Sequence, residues 1–343
     1  MKELNVLYQS SKQYLPVTMV SLYSLLDQCC DVDKINIYLI NSDIDDDSLC
    51  MFTKLIKSFE QNFYIIPGKF IDDLLENYGI EKWHGSYTTF YKLFVLDILD
   101  IDKILYIDSD TIIEHSLYEL CDFKFNNSLL GMVSSAMTNV VKEFYNTDEW
   151  YNAGVIYFNV KKWKKCKKID LVKECITSKK RNMMTMIGDE SLINVLFKDD
   201  IKKLPLKYNY ESSWWLWGWN ENLYKSLGFE KGKKPYYDVE EIREAKYGAC
   251  INHYTALTTG RPWDKFNDNR AKKKFNFYYK KLGFTKRLDF YKGTPMKKSN
   301  FKLFFIRLFR RFMPMIYRSL YGFKLHDEAW RKSIAQVDMS EKE

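Results

Sequence analysis

The run Lys103-Ile104-Leu105-Tyr106-Ile107-Asp108-Ser109-Asp110-Thr111-Ile112-Ile113 decides the fold. Its apolar, β-branched first half is typical of a buried central strand. Two carboxylates, separated by one small residue, follow at the carboxyl end, where open α/β sheets bind their ligands. Asp108 and Asp110 can both reach one hard cation that also holds phosphate oxygens, which predicts a metal–diphosphate site. The alternative is an ordinary strand end at which both aspartates begin a turn.

The chain before this run alternates strands with helices. Hydrophobic patterns predict strands at 4–8, 34–40 and 62–66, with helices at 17–26 and 48–60 between them. This order predicts an α/β fold with a parallel, doubly wound sheet.

Patterns further along the chain predict other elements. A helix is predicted over 86–99, with Lys92 outside its apolar face. A turn is predicted at 152–154, where Gly154 would allow close approach to a ligand. The remaining elements are a helix over 192–197, an edge strand over 203–209 and a short strand ending near His253. Two acids, Asp189 and Glu190, precede the helix at 192, where acids commonly act as N-caps. A lone histidine such as His253 is commonly structural, although its place after a strand also suits a third metal ligand.

The composition is that of a globular protein with a large core. Of 343 residues, 46% are hydrophobic and 17% aromatic, which argues against a disordered chain. Seven cysteines without metal-ligand spacing favour reduced thiols in a cytosolic protein. We expect no signal peptide and no transmembrane helix, because no uninterrupted run of the ~20 apolar residues that such a helix needs is present.

Positive charge is concentrated near the C-terminus. The formal net charge is +8, and the stretch 297–325 contains eight lysines and arginines and no acids. Within it, the basic and aromatic segment 301–312 predicts an amphipathic helix that binds an anionic membrane surface. One alternative is that this helix packs on its own domain. The other is a nucleic-acid contact, which we do not expect because the sequence contains no recognition motif.

Tryptophans cluster at Trp214, Trp215, Trp217 and Trp219. Gly218 and the polar flanks favour a partly open loop, where such rings stack on sugars or cap a cleft. We therefore expect these four side chains to contact an acceptor, with a place in the core as the alternative.

Four motifs occur in a fixed order along the chain. They are Tyr106–Asp110; Tyr151–Val155 with Asn159 and Trp163; Asp189–Ser191 with Asn194 and Leu204-Pro205; and His253-Tyr254 with Arg261–Trp263. In this combination the chain resembles glycosyltransferase family 8, which includes glycogenin and bacterial lipopolysaccharide galactosyl- and glucosyltransferases. The resemblance spans most of residues 1–265.

The resemblance implies a fold and a set of site residues. The fold is an α/β, GT-A (Rossmann-like nucleotide-diphospho-sugar transferase) domain over 1–265, followed by a basic C-terminal helical extension over 266–343. The implied donor is a UDP-sugar, bound with Mn²⁺ or Mg²⁺ and transferred with retention of configuration. The implied metal ligands are Asp108, Asp110 and His253. The implied donor contacts are Tyr8, Gln9, Ser10, Lys92, Ser109, Asn152, Ala153, Gly154, Gly260 and Arg261. The catalytic candidates are Asp189, which would bind donor hydroxyls, and Glu190.

This chain departs from the family pattern at two places. The loop Tyr8-Gln9-Ser10-Ser11 lacks the acid that often recognises uracil, although we still expect uridine there. At Glu190 the lipopolysaccharide enzymes commonly carry glutamine. A carboxylate there can stabilise an oxocarbenium-like transition state or act as a transient nucleophile. The alternative is a hydrogen bond to a substrate hydroxyl or a neighbouring backbone group.

The predicted function is a retaining, metal-dependent hexosyltransferase that moves glucose or galactose from a UDP-sugar to lipopolysaccharide, capsule or a similar cell-surface glycan. We expect it in the cytoplasm, peripherally attached to the inner face of the plasma membrane beside a lipid-linked acceptor. One alternative is a glycosylated protein as acceptor. The other is a non-catalytic sugar-nucleotide-binding module, against which the intact Asp108, Asp110 and His253 argue.

Overall fold

The computed structural model describes residues 1–80, 82, 86–135, 137, 139–178, 186–212, 214, 237–255, 261–263, 272–285, 288 and 325–340. Several predicted positions lie outside this part of the chain: Trp215, Trp217, Trp219, Gly260 and the stretch 297–324. None of the helices within the described ranges is both long enough and apolar enough to cross a bilayer.

Two sheets organise the described residues. Their strands are β1 (Glu3–Ser10), β2 (Lys34–Asn41), β3 (Asn62–Pro67), β4 (Lys103–Ile107), β5 (Thr111–Ile113), β6 (Leu130–Ser134), β7 (Tyr151–Asn159), β8 (Ile201–Lys203), β9 (Tyr210–Glu211) and β10 (Ile251–His253). Seven of them form the main sheet in the order β3-β2-β1-β4-β7-β6-β8, and a small second sheet has the order β5-β10-β9.

Helices connect these strands and cover the main sheet. They are α1 (Leu15–Gln28), α2 (Asp46–Ser58), α3 (Gly68–Asn77), α4 (Tyr91–Phe94), α5 (Tyr118–Cys121), α6 (Asn139–Phe144), α7 (Val160–Lys165), α8 (Lys168–Thr177), α9 (Gly188–Leu196), α10 (Val239–Gly248), α11 (Lys272–Lys281) and α12 (Leu325–Ser340). The predicted β-α-β-α-β order of the first third is therefore confirmed.

The main sheet is predominantly parallel, as predicted, with β7 as the antiparallel strand. β1, β2, β3 and β4 pair in parallel, as expected, but β7 runs antiparallel to both β4 and β6. Ser134 at the end of β6 pairs with Tyr151 at the start of β7, so the connection through α6 returns to the edge of the sheet where β6 ends. A connection that returns to the same edge produces antiparallel neighbours.

Alternating residues of the central strands fill two separate cores. Leu105 and Ile107 of β4 belong to the cluster on one face, whereas Ile104 and Tyr106 belong to the cluster on the other. This period of two follows from the pleat of a strand. Because both faces are covered, the central strands are apolar throughout, which is the pattern read from the sequence.

The central run is two strands in different sheets rather than one. β4 ends at Ile107 in the main sheet, and β5 begins at Thr111 in the small sheet. The chain turns between them, where the Thr111 hydroxyl donates to the Asp108 carbonyl and the Asp108 N–H donates to the Gly154 carbonyl. Asp108 and Asp110 therefore lie where the two sheets meet.

Three other local predictions are wrong. Residues 86–99 form short 3₁₀ turns around α4 rather than one amphipathic helix, because Tyr91–Leu96 are buried throughout. Residues 152–154 lie within β7 rather than in a turn. The predicted strand over 203–209 stops at Lys203, because Pro205 lacks the N–H that a ladder needs.

Helix α11 begins the basic C-terminal region. As expected, it packs on the edge of the domain, and Phe275 and Tyr278 are buried against α1. Its outer side exposes Lys273, Phe277 and Lys280. Helix α12 lies within the predicted helical extension over 266–343 and packs against α6.

Candidate active site

The three predicted metal ligands converge. Asp108 and Asp110 come from the turn between β4 and β5, and His253 ends β10, which pairs with β5. One ligand atom from each lies within 4.8 Å of the others. His253 Nε2 is 3.3 Å from Asp110 Oδ1 and 3.7 Å from Asp108 Oδ2. Two carboxylates and an imidazole are a donor set that suits Mn²⁺ or Mg²⁺, so these residues fit the implied ion.

Burial and mutual charge shift the pKa of each of these ligands. Burial raises the pKa of Asp108, and the nearby Lys92 only partly opposes this shift. Despite its burial, Asp110 has a pKa lowered to about 2 by His253 and Arg261. Burial opposes the charged form of His253, but Asp110 and Asp108 raise its pKa to about 8. A divalent cation would therefore displace a proton from His253 on binding.

Lys92 occupies the interior of the site rather than the polar side of a helix. Its Nζ lies 2.9 Å from Asp189 Oδ2 and 3.8 Å from Asp108 Oδ1, and it donates to the Ala153 carbonyl at 3.1 Å. The pKa of Lys92 is raised by the charges of Asp189 and Asp108, although burial opposes the shift. Lys92 thus remains charged and links the metal ligands to the acids of α9.

Asp189 and Glu190 are not simple helix caps. Thr89 donates to Asp189 Oδ1 at 2.9 Å, and Lys92 binds the other oxygen. Glu190 accepts hydrogen bonds from Trp150 Nε1 at 2.7 Å, Asn152 Nδ2 at 3.0 Å and the Ala153 N–H at 3.1 Å.

The Glu190 carboxyl is therefore fixed in position. Burial raises its pKa to about 7, and the donors from Trp150 and Ala153 oppose this shift. Near neutral pH the Glu190 carboxyl is thus close to the midpoint of its titration. Its orientation is fixed by the hydrogen-bond donors of Trp150, Asn152 and Ala153.

Gly154 permits the backbone of β7 to pack closely against the His253 ring. A Cβ at this position would lie 2.2 Å from Cε1 of His253, far inside van der Waals contact. Glycine at position 154 is therefore needed for the close packing of β7 against the His253 ring.

The side chains of Tyr8, Gln9 and Ser10 alternate between the two faces of the main sheet along β1. The side chains of Tyr8 and Ser10 are buried and hydrogen-bonded to α1, at Ser21 and Thr18. Gln9 points the other way, and its buried Oε1 has no hydrogen-bond partner among the described residues. Because side chains alternate along a strand, Gln9 faces the side of the sheet opposite to Tyr8 and Ser10.

Ser109 and Arg261 adjoin the metal ligands. The Ser109 hydroxyl donates to the Gln9 carbonyl at 2.9 Å and so ties the turn to β1. Arg261 Nη2 lies 3.0 Å from Asp110 Oδ2, and its Nη1 donates to the Tyr14 hydroxyl.

Trp214 lies in the core rather than on an open loop. It is fully buried and packs edge-on against Tyr237. This corrects its assignment to an acceptor surface, because an indole inside the core cannot stack on a sugar.

Sequence reasoning missed three site residues: Trp150, Asn209 and Glu211. Trp150 and Asn209 hydrogen-bond to the predicted residues, and the buried Glu211 pairs in register with His253, with its pKa raised to about 7 by burial. Trp150 directly precedes the motif at Tyr151–Val155, and Asn209 is the last residue of the predicted edge strand over 203–209. Their roles depend on tertiary contacts that no local spacing encodes.

The family model for glycosyl transferase family 8 matches residues 5–266. Glycosyltransferase GlyB of Streptococcus pneumoniae is 24% identical over 80% of this chain and 61% of its own length, and GlyF of the same organism is matched over 48% of its length. This chain therefore spans only part of these relatives. A lipopolysaccharide 1,2-glucosyltransferase of Escherichia coli is 22% identical over 76% of this chain and 73% of its own length.

Solved structures resemble the fold. An active-site mutant of LgtC superimposes with a TM-score of 0.65 at 18% identity, covering 81% of this chain and 96% of LgtC. The galactosyltransferase LgtC with donor and acceptor sugar analogues gives 0.64 at 16% identity, covering 82% and 98%. The predicted GT-A fold is thus confirmed.

Replacement of Gly154 tests the packing of the site. We expect Gly154→Ala to displace the His253 ring, to weaken Mn²⁺ binding at least about tenfold, and to lower the free energy of unfolding by about 1–3 kcal/mol. Calorimetric titration with Mn²⁺ and denaturant unfolding measure these effects. Gly248→Ala is the matched control, since a Cβ there meets nothing within 4 Å. Unchanged Mn²⁺ affinity in Gly154→Ala would contradict the close packing.

Proposed function

The chain belongs to glycosyltransferase family 8, and we propose that it moves glucose or galactose from a UDP-sugar to a cell-surface glycan, retaining the anomeric configuration and using Mn²⁺ or Mg²⁺. The observation that carries the proposal is the convergence of Asp108, Asp110 and His253 within 4.8 Å, beside a buried Lys92–Asp189 pair. A non-catalytic module would have no need for these charges to be buried at such cost.

The proposed metal ligands and Arg261 are assigned to neutralising the negative charge of the leaving group. Bound between Asp108, Asp110 and His253, a divalent cation would neutralise charge on the departing diphosphate. Arg261 is positioned for the same task, because its guanidinium already lies against Asp110 and can turn to a phosphate oxygen. A cationic group held beside the leaving diphosphate stabilises the negative charge that develops on it.

Lys92 and Asp189 are assigned to the donor sugar. Asp189 can accept hydrogen bonds from sugar hydroxyls, and Lys92 pairs with it while donating to the Ala153 carbonyl. Gln9 is the proposed contact to the base, since its unpartnered Oε1 can accept from an imide N–H. Asn152, Ala153 and Gly154 form the adjoining wall.

Glu190 is assigned to the reacting carbon. Three donors fix its carboxyl group, so that it can stabilise positive charge on an oxocarbenium-like sugar without moving. Direct nucleophilic attack is the second role considered for this residue, and the carboxylate oxygens keep lone pairs for it besides those that accept hydrogen bonds. We assign the stabilising role because it uses the carboxyl group where the three donors hold it.

A membrane-linked glycan is the proposed acceptor. Two observations support it: the relatives named as lipopolysaccharide glucosyltransferases, and the acid-free basic stretch 297–325. We assign Trp215, Trp217 and Trp219 to the acceptor because of their sequence context, and place the enzyme on the inner face of the plasma membrane. A glycosylated protein is the competing acceptor.

Release of UDP from a panel of UDP-sugars tests the reaction. We expect Mn²⁺-dependent release from one hexose donor, abolished by EDTA and reduced at least about 100-fold by Asp110→Asn, which removes a metal ligand charge. The control is Asp102→Asn at an exposed carboxylate. Release that persists in EDTA, or that survives Asp110→Asn, would contradict the metal-dependent mechanism.

The buried Glu190 makes stability depend on pH. Its pKa is 4.5 in its ordinary state and about 7 in the folded protein, so the folded state holds an extra proton between these values. Stability therefore falls as the pH rises through this window. We expect Glu190→Gln to gain up to about 3 kcal/mol relative to wild type between about pH 5 and pH 8.

Denaturant unfolding at several pH values measures this difference. The control is Glu240→Gln, whose carboxyl is exposed. A stability difference between Glu190→Gln and wild type that does not change with pH would show that Glu190 titrates as an ordinary carboxyl.

Co-sedimentation with vesicles tests the membrane role. We expect the protein to bind vesicles that contain anionic lipid, and Arg307→Glu with Arg310→Glu to weaken binding at least about tenfold. The matched control reverses the exposed Lys54 and Lys57 on α2. Equal binding of both double variants, or no binding of wild type, would favour a soluble protein acceptor.

A further inference from the structure

Two buried asparagines join the metal ligand His253 to Glu190. His253 Nδ1 lies 3.0 Å from Asn209 Oδ1, Asn209 Nδ2 lies 2.9 Å from Asn152 Oδ1, and Asn152 Nδ2 lies 3.0 Å from Glu190 Oε2. Asn209 is completely buried and immediately precedes β9. A continuous hydrogen-bonded chain therefore runs from one functional group to the other.

One backbone donor fixes the direction of every bond in this chain. The Gly154 N–H, which can only donate, points at Asn152 Oδ1 at 2.9 Å. The amide of Asn152 therefore cannot be reversed, and its Nδ2 must face Glu190, which accepts. Since Asn152 Oδ1 also only accepts, the neighbouring Asn209 must offer its Nδ2 there.

The same logic determines the protonation of the histidine ring. With its Nδ2 committed to Asn152, Asn209 turns its carbonyl oxygen to His253. Only a protonated Nδ1 can donate to that oxygen. The lone pair of the neutral ring is then on Nε2, the atom that faces Asp108 and Asp110.

We propose that Asn209 is a positioning residue that holds His253 with its proton on Nδ1, and that it takes its own direction from Asn152, the residue that also donates to Glu190. The inference rests on the metal role proposed above for His253. A ligand histidine whose second nitrogen is fixed by a buried acceptor keeps its ring orientation and tautomer before the ion arrives. Through Asn152, the direction of the bond to His253 is tied to the direction of the bond to Glu190.

Two variants of Asn209 separate this role from simple packing. Asn209→Asp keeps an oxygen for the Nδ1 proton but puts a second oxygen against Asn152 Oδ1. Asn209→Leu fills a similar volume and removes both hydrogen bonds. We expect Asn209→Leu to weaken Mn²⁺ binding about 10- to 100-fold, and Asn209→Asp to keep wild-type affinity or better. Calorimetric titration with Mn²⁺ alone measures both.

The matched control is Asn36→Leu, which removes another buried amide of the sheet. Asn36 links Asn5 and Asn62, and all three lie at the opposite end of the main sheet from the site. We expect this variant to lose stability while binding Mn²⁺ like the wild type. An equal loss of Mn²⁺ affinity in Asn36→Leu and Asn209→Leu would overturn the proposal, because packing alone would then explain both.

The tautomer is measured without any metal. Ring-¹⁵N-labelled protein, studied by NMR well above the His253 pKa of about 8, should show His253 protonated on Nδ1; His253→Gln assigns the signal. A proton on Nε2 would overturn the proposal. Wild type that shows the Nδ1 proton but binds no Mn²⁺ would contradict the proposed function and leave this inference standing.

Discussion

Asp110 divides its carboxylate between two cations, and the site depends on this interaction. One oxygen lies 3.3 Å from His253 Nε2, and the other lies 3.0 Å from Arg261 Nη2. Burial of an uncompensated carboxylate would cost several kcal/mol, so the charge requires partners at this distance. The partners come from segments that are remote in sequence, β10 and the turn at 261. Their convergence on one acid fixes the small sheet against the main sheet.

Much of the fold could be predicted from local patterns, because the central strands are buried on both faces and read as continuous apolar runs. The reversal of β7 could not, since a strand buried on both faces has the same pattern in either direction. Spacing and family resemblance together predicted a cluster of Asp108, Asp110 and His253, and the three side chains do lie together. Asn209 and Trp150 were missed because a buried polar residue acquires its role from partners across the fold, such as His253 and Glu190. The burial of the Tyr8 side chain against α1 likewise depends on a tertiary contact that its motif position does not show.

The two halves of the site have complementary electrostatics. Around Asp108, Asp110 and His253, the cations Lys92 and Arg261 compensate the aspartates. Around Glu190, neutral donors fix a carboxyl group without neutralising it. Negative charge that leaves with the nucleotide and positive charge that develops on the sugar would thus be met by different groups. Fixed dipoles stabilise separated charges more strongly in a buried site than in water, because the dielectric constant there is lower.

The central claim is that Asp108, Asp110 and His253 hold one divalent cation. Anomalous diffraction at the manganese edge, from crystals grown with Mn²⁺ and UDP, tests it most directly. The account predicts one anomalous peak in contact with both carboxylates and with Nε2 of His253, on the side of the ring opposite Asn209. A peak elsewhere, coordination through Nδ1, or no peak at saturating Mn²⁺ would contradict the claim.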